Sequence, residues 1–223
     1  MGELFEEPNL RNRTCVFKDR SQAGKWLARK LSPSVLPDSV VLAIPAGGVP
    51  VGLEIARYLS LRLDLMIVRK IQIPGDPEAG FGAVGPDGEV IFNEDLLRKL
   101  RLSEESIEAE VQKTRKTLES RNRVFRRGRP FPDLTGKSVI LVDDGLASGF
   151  TMAEAVKFLG RKKVKRTTIA VPTAPEETVK RLLPMVDEIY VLNVRASLPF
   201  AVAEAYRDWY DVKDEEVLSL IKT

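Results

Sequence analysis

The sequence predicts an α/β protein with a mostly parallel central sheet flanked by helices. Short apolar runs recur along the chain and are bounded by turn residues, which is typical of strands buried on both faces. Between these runs, apolar residues recur at helical spacing. Strands that alternate with helices in this way favour a parallel sheet. The predicted strands cover residues 39–44, 63–68, 137–142, 167–171 and 188–193.

Local sequence signals, such as prolines and cap residues, indicate where the predicted helices begin and end. The first helix begins near Arg20, and prolines end it in a loop over residues 32–38. Ser103 is a predicted N-cap, because two glutamates follow it in the first turn of a helix. Further helices are predicted near residues 51–59, from Thr151 and over 176–183, and an acidic helix closes the chain.

Residues 71–92 differ from the rest of the chain because they are rich in glycine and proline. The turn signal Pro86-Asp87-Gly88 predicts a hairpin between residues 81–84 and 89–92. We expect a long loop with a hairpin, which often acts as a lid. The chain is predicted to be a single domain over 1–223, with a helical insertion at about 94–129 and a C-terminal extension at about 196–223.

Composition excludes several chemistries. The 223 residues include no histidine, which rules out Ser-His-Asp catalysis and His-containing metal sites. The single cysteine, Cys15, excludes an internal disulfide, and we expect it to be a small buried side chain. The net charge of +3 is too small to indicate nucleic acid by itself. The sequence shows no signal peptide or membrane span, so we expect a cytoplasmic protein without a membrane partner.

Two adjacent acids, Asp143 and Asp144, end an apolar strand and precede a turn of small residues and a helix. Backbone N–H groups at such a helix start form a cup for an anion. The acids repel phosphate, so their predicted partners are hydroxyl groups on the same ligand, such as a ribose diol. The predicted cup and its approach comprise Gly145, Ala147, Ser148, Gly149, Phe150 and Thr151.

Other phosphate motifs do not fit this turn. A P-loop requires a lysine that is absent here, and the Rossmann pattern G-x-G-x-x-G is absent as well. A plain strand–turn–helix junction would explain the glycines but not the two acids.

The run of four apolar residues, two acids and small residues ending in Ser148-Gly149-Phe150-Thr151 resembles the PRPP-binding motif of type I phosphoribosyltransferases. PRPP is 5-phosphoribosyl 1-pyrophosphate. The resemblance implies that Asp143 and Asp144 bind the ribose hydroxyls and that residues 147–151 bind the 5-phosphate. The neighbourhood of residues 74–85, the helical insertion and the acidic tail resemble a branch of that family without a settled substrate.

The resemblance also implies roles elsewhere in the chain. Ala46, Gly47 and Gly48 follow the first predicted strand, where the family keeps its pyrophosphate loop. Arg69 and Lys70 are expected to end the second strand at the same sheet edge and to act as catalytic partners of pyrophosphate. Glu78 lies in the predicted lid and is the third candidate catalytic residue.

The implied activity is that of a phosphoribosyltransferase, a pentosyl transferase that uses PRPP and Mg²⁺ and releases pyrophosphate. Its other substrate or product would be a nitrogenous base or a nucleoside monophosphate, and the family suggests a homodimer. Ala147 stands where hypoxanthine–guanine enzymes usually carry an aspartate, which argues against that acceptor. No direct metal ligand is predicted.

Two alternatives remain open. The same fold can serve as a non-catalytic sensor of PRPP or nucleotides, with the basic residues at 121–129 and 161–166 facing nucleic acid. We favour a solvated helix end for these charges and do not expect a nucleic-acid partner. A P-loop-like phosphotransferase is the other alternative, and the missing lysine argues against it.

Overall fold

The computed structural model describes residues 2–127, 129–196 and 199–221, except for the side chains of residues 76–79. The chain forms two compact units. The first, here called the core unit, comprises Met1–Met66 and Leu134–Thr223. The second, the insertion unit, comprises Ile67–Asp133.

The core unit contains strands, α-helices and short 3-10 helices. The 3-10 helices span Pro8–Leu10, Leu183–Met185 and Val202–Ala205. The strands and α-helices are β1 (Glu3–Glu6), α1 (Arg20–Leu31), β2 (Val40–Ala43), α2 (Gly48–Leu59), β3 (Arg62–Leu65), β7 (Ser138–Val142), α5 (Phe150–Arg161), β8 (Arg166–Pro175), α6 (Glu176–Leu182), β9 (Glu188–Arg195) and α7 (Asp214–Leu220). The insertion unit supplies β4 (Arg69–Ile73), β5 (Asp76–Val84), β6 (Val90–Phe92), α3 (Glu94–Leu100) and α4 (Glu104–Arg126).

The core sheet has six strands in the order β1-β9-β8-β7-β2-β3, and every neighbouring pair is parallel. Strands β2, β7 and β9 are buried along their whole length, as expected where helices cover both faces of a parallel sheet. The predicted α/β class with a parallel sheet is therefore confirmed. Because β2 and β7 are adjacent, the loops that follow them leave the sheet side by side.

Helices α1 and α2 pack against each other and against the core sheet. Leu27 and Ile55 are fully buried in the cluster that they share. Asp19 caps α1, because its carboxylate accepts a 2.8 Å hydrogen bond from the N–H of Gln22. This packing fixes the first turn of α1, which carries Arg20.

The insertion unit combines an antiparallel sheet in the order β4-β5-β6 with two helices. The predicted hairpin at Pro86–Gly88 is confirmed, since β5 pairs with β6 and the N–H of Gly88 donates to the carbonyl of Gly85 at 2.9 Å. Ser103 caps α4 as predicted and accepts from the N–H of Ser106 at 3.2 Å. Helix α4 packs against β4 and β5.

The structure corrects the expectation of a long loop before this hairpin. Residues 71–73 continue β4, and β5 begins at Asp76 after a turn at Gly75, where φ is +85°. The two strands pair from Arg69↔Val84 to Ile73↔Asp76, with a bulge near Gln72. The segment is a sheet because its backbone groups pair with each other, which a high glycine content does not prevent.

Two local expectations were wrong. Arg69 and Lys70 do not end β3, because that strand stops at Leu65 and the two cations open β4 in the insertion unit. Cys15 is exposed rather than buried, with φ at +52°.

No helix in the described ranges is long and apolar enough to cross a membrane.

Candidate functional site

Asp143 and Asp144 directly follow β7 at the carboxyl edge of the core sheet. Ala43 of β2 lies opposite Val142, and the N–H of Ile44 donates to the carbonyl of Val142 at 2.9 Å. The sheet therefore places the two acids beside the loop that follows β2.

The loop that follows β2 lies directly on the acids. A Cβ atom on Gly47 would lie 2.0 Å from Oδ2 of Asp144, and one on Gly48 would lie 2.9 Å from Cα of Asp143. Only glycine permits so close an approach. The peptide bond between Pro45 and Ala46 is cis.

The amides of this loop are not equivalent. The N–H of Gly48 donates to the carbonyl of Ile44 at 3.1 Å, so it is already engaged within the loop. Among the described residues, the N–H groups of Ala46 and Gly47 have no acceptor. The sequence suggested three amides for a diphosphate, and the structure leaves two.

Asp144 is held by a residue that the sequence analysis missed. Arg20 Nε lies 2.8 Å from Oδ2 of Asp144, and the Arg20 side chain is 6% exposed. The hydroxyl of Tyr206 donates to the backbone carbonyl of Asp144 at 2.5 Å. Burial and the Asp144 carboxylate raise the pKa of Tyr206 well above its ordinary value, so its hydroxyl stays a donor.

Asp143 has a different environment from its neighbour. Desolvation, followed by the charge of Asp144, raises the pKa of Asp143 well above the ordinary value for a carboxyl group. The N–H of Asp144 donates to Oδ1 of Asp143 at 2.8 Å and opposes this shift, as does Arg20. The pair thus combines a carboxylate with a cation partner and a carboxyl group that retains its proton more readily.

Aromatic residues of the C-terminal segment surround Arg20. Its guanidinium carbon lies 3.9 Å from the ring centroid of Trp209 and 5.5 Å from that of Tyr210. Arg20 Nη1 also donates to the backbone carbonyl of Tyr210 at 2.9 Å. Of the three aromatic residues near Arg20, Tyr206 is buried, whereas Trp209 and Tyr210 lie partly in solvent.

The predicted anion cup follows the acids and leads into α5. Across the described chain, the N–H groups of residues 147–151 have no hydrogen-bond acceptor. Gly149 has φ of +67° and turns these groups toward the start of the helix. Thr178 Oγ1 donates to the carbonyl of Ala147 at 2.8 Å, and this hydrogen bond holds the backbone of the cup in place.

Arg181 of α6 stands beside the cup and was also missed. Its guanidinium donates to the carbonyl of Ser148 and lies 5.0 Å from the ring centroid of Phe150. The side chain of Phe150 is exposed. The cup thus joins a row of unengaged amides to an accessible cation, which is the donor set that phosphate prefers.

The remaining predicted residues lie in the insertion unit. Arg69 is exposed at the start of β4, and Lys70 packs its side chain along Gly80 of the neighbouring strand. The backbone of Glu78 belongs to β5, but its side chain lies outside the described part of the structure.

Within the described residues, no group of three or more cysteine and carboxylate side chains is arranged to hold a metal. The donor set nevertheless suits Mg²⁺, which is commonly bound by one or two carboxylates together with substrate oxygens and water. Asp143 and Asp144 are the residues that would hold it at this edge.

Arg20 and Arg181 were missed because each reaches the site through the fold. Arg20 did carry one signal: it is a cation in the first turn of a helix that has no acidic residue there, which opposes the helix dipole. An unfavourable charge at a helix start indicates that another partner compensates it. For Arg181, we find no comparable signal in the local sequence.

Comparison with known proteins agrees with this geometry. A family model described as "Phosphoribosyl transferase domain" matches residues 20–204. Two Mycobacterium tuberculosis proteins, each named "Putative phosphoribosyl transferase", are 37% identical to the chain over 206 residues. The match covers 92% of this chain but 46% of each relative, so the chain spans about half the length of these curated relatives.

Solved structures show the same fold. The TT1426 protein of Thermus thermophilus superposes with a TM-score of 0.82 at 39% identity, covering 92% of this chain and 97% of that one. A hypoxanthine phosphoribosyltransferase of Staphylococcus aureus has a TM-score of 0.50 at 15% identity over 93% of this chain and 94% of its own, a likeness of fold alone. By its sequence match over residues 20–204 and by these relatives, the chain belongs to the phosphoribosyl transferase domain family.

Proposed function

We propose that the protein transfers the 5-phosphoribosyl group of PRPP to a nitrogenous base and releases pyrophosphate. In this reaction a base nitrogen forms a bond to C1 of the ribose, the bond from C1 to the diphosphate oxygen breaks, and the nitrogen loses its proton to solvent. The observation that carries the proposal is the placement of Asp143 and Asp144 between two sets of unengaged amides.

The two amide sets suit the two ends of PRPP. The cup at residues 147–151, with Arg181 beside it, would bind the 5-phosphate. The amides of Ala46 and Gly47 would face the diphosphate. Donors that are already in place cost little reorganisation when charge develops on the leaving diphosphate.

The two acids would bind the ribose hydroxyls between these ends. Oδ2 of Asp144 is engaged by Arg20, so its Oδ1 is the atom left for a hydroxyl group. Asp143 can accept from a second hydroxyl once it has lost its proton. Mg²⁺, which Asp143 and Asp144 would hold together with PRPP, neutralises negative charge on the diphosphate when bound.

Other parts of the proposal rest on the family resemblance. Arg69 and Lys70 would act as cationic partners of pyrophosphate, and Glu78 as a further catalytic group. The residue at the start of the cup is Ala147, so no carboxylate is available there to contact a purine. We also propose a homodimer.

The test is pyrophosphate release from PRPP by the purified chain, with and without Mg²⁺, across a panel of adenine, hypoxanthine, guanine, xanthine, uracil and orotate. We expect release with at least one base, and loss of that activity in Asp143→Asn. Ser148→Leu should also abolish it, because a bulky side chain fills the cup. Lys157→Gln, an exposed change on α5, serves as the control.

The outcomes distinguish a transferase from a non-catalytic sensor of PRPP. If PRPP binds and no base causes pyrophosphate release, the protein is a sensor with this fold rather than a transferase. If PRPP does not bind, or binds equally well to Asp143→Asn and Ser148→Leu, the site assignment is wrong.

A further inference from the structure

The insertion unit contains a cavity of about 910 Å³ that the proposed reaction does not use. One face of α4 forms one wall, the hairpin turn at residues 86–88 forms another, and residues 129–131 complete it. Every lining residue belongs to the insertion unit, and none belongs to the strand–acid–acid motif.

The cavity carries an excess of positive charge. Its walls include Arg115, Arg123, Arg126 and Arg129, against the two carboxylates of Asp87 and Glu119. Over the residues that the structure describes, Arg115 and Arg123 have neither a hydrogen-bond acceptor nor an ion-pair partner. Guanidinium groups that line one concave space repel each other until an anion enters it.

Hydrogen bonds hold in place the hairpin turn that forms one wall of this cavity. Asn122 of α4 donates its side-chain N–H to the carbonyl of Pro86 at 3.2 Å, which ties the hairpin turn to the helix. Within the turn, Asp87 Oδ1 accepts from the N–H of Glu89 at 3.0 Å. A wall that is ordered before binding reduces the entropy that a ligand must overcome.

The wall after the helix is also tied back to α4. Arg126 Nη1 donates to the carbonyl of Pro130 at 3.3 Å, and Arg129 Nε donates to the carbonyl of Arg126 at 3.4 Å. The guanidinium carbon of Arg126 also lies 5.0 Å from the ring centroid of Phe131. These contacts hold two of the arginines at the cavity wall.

Size and charge spacing indicate the kind of ligand. From Arg115 to Arg126 the helix axis advances about 16 Å, which exceeds the reach of one phosphate group. The volume lies within the range of small-molecule sites. Phe131 adds apolar surface, whereas Leu118 at the cavity wall is almost fully buried.

We propose that this cavity binds a nucleoside polyphosphate. Its phosphate groups lie along Arg115, Arg123 and Arg126, and its nucleoside contacts Phe131. The proposal is independent of the proposed transferase reaction, because it uses no residue of that site.

The test is isothermal titration of the whole chain with ATP and with GTP in the presence of EDTA, which removes the Mg²⁺ that the reaction site requires. We expect one saturable site for at least one of the two. Arg115→Gln/Arg123→Gln should lower that affinity by at least about tenfold, since two charge-assisted contacts are lost. Asp143→Asn should leave it unchanged.

Lys113→Gln/Lys116→Gln is the matched control, because it removes the same charge from exposed positions of the same helix. We expect less than about a twofold change in affinity, since neither lysine lines the cavity. Circular dichroism and thermal unfolding check that all variants fold. Base-dependent pyrophosphate release should be the same in the arginine variant and the parent, so failure here and failure of the proposed reaction are distinguishable.

Four results would overturn the proposal. The first is an absence of saturable binding, and the second is an equal loss of affinity in the lysine control. The third is an affinity for inorganic phosphate equal to that for ATP. The fourth is binding of a single-stranded RNA that is lost in the arginine variant and is not displaced by ATP. The last of these would assign the surface to nucleic acid instead.

Discussion

Arg20 Nε lies 2.8 Å from Oδ2 of Asp144, although the two residues are 124 positions apart in the chain. The contact joins the first turn of α1 to the acid pair that ends β7. Trp209 covers the guanidinium from the other side. The acid pair of the candidate site therefore depends on three distant segments of the chain.

Arg20→Gln should destabilise the protein by about 3 kcal/mol, because removing one member of a buried ion pair leaves the other charge without a partner. Since Arg20 lowers the pKa of Asp143, the variant should also raise that pKa further. Urea unfolding measures the first effect. The pH dependence of PRPP binding measures the second effect: as the solution is acidified, the variant should lose affinity for PRPP at a higher pH than the parent does.

Arg29→Gln is the matched control for this change, because Arg29 is an exposed residue of the same helix. We expect no measurable loss of stability from it. Equal stabilities of Arg20→Gln and Arg29→Gln would show that the contact with Asp144 contributes nothing to the fold.

Asp143→Asn should stabilise the protein at neutral and alkaline pH, by about 1 kcal/mol, which is typical of replacing a functional residue that is held in an unfavourable environment. The folded state raises the pKa of Asp143, so it binds this proton more tightly than the unfolded chain does. The stability of the parent therefore falls as pH rises from the unfolded pKa through the folded one. Asparagine has no such proton to lose.

Urea unfolding of the parent and Asp143→Asn between pH 4 and pH 8 checks this sign. The two curves should converge toward pH 4 and separate as pH rises. Asp38→Asn, at an exposed position, should follow the parent throughout. A variant that is less stable than the parent at pH 8 would show that burial of the Asp143 charge is not costly.

Gly47→Ala should weaken PRPP binding at least about tenfold and cost about 1–3 kcal/mol of stability. The added Cβ would lie 2.0 Å from Oδ2 of Asp144, so the carboxylate has to move away from Arg20. Gly160→Ala on α5 is the control, because nothing lies within 4 Å of its added Cβ. It should stabilise the helix by about 0.5–1 kcal/mol.

Both glycine variants are assayed by PRPP titration and by urea unfolding. Normal PRPP affinity in Gly47→Ala would mean that the loop after β2 tolerates a side chain and does not hold the acids in place.

Arg181→Gln should lower the affinity for ribose 5-phosphate by about tenfold, because the cup loses its adjacent cation. Little effect on stability is expected, since the side chain is exposed. Lys180→Gln tests for a general charge effect, because Lys180 is exposed and pairs with Glu176 at 2.8 Å instead. If the two variants bind ribose 5-phosphate equally well, Arg181 takes no part in the cup.

The sequence was sufficient to predict those parts of the structure that depend on local pattern. The apolar strand before Asp143 and Asp144 predicts both the sheet and the edge at which the two acids lie. Small residues at 145, 147, 148 and 149 likewise predict a turn with accessible amides, because large side chains there would block an anion. The helix cap at Ser103 follows from the same kind of short-range rule.

The errors arise where tertiary contacts decide the outcome. Residues 63–68 are apolar apart from Asp64, but pairing with β2 supports a strand only through Leu65, so Arg69 and Lys70 fall into another sheet. β1 has only two apolar residues, Leu4 and Phe5, between two glutamates, and it becomes a strand because β9 offers it an edge. The partners of Arg20 and Arg181 lie too far away in sequence for any local pattern to show them.

The pairing of β1 with β9 also bears on the order in which the protein folds. β1 comes before the other strands of the core unit in the chain, and in the core sheet β9 is its neighbour. β2 similarly pairs with β7 across the whole insertion unit, whose own three strands pair close in sequence. During synthesis the insertion unit can therefore complete its hairpins early, while β1 remains unpaired until Glu188–Arg195 has left the ribosome.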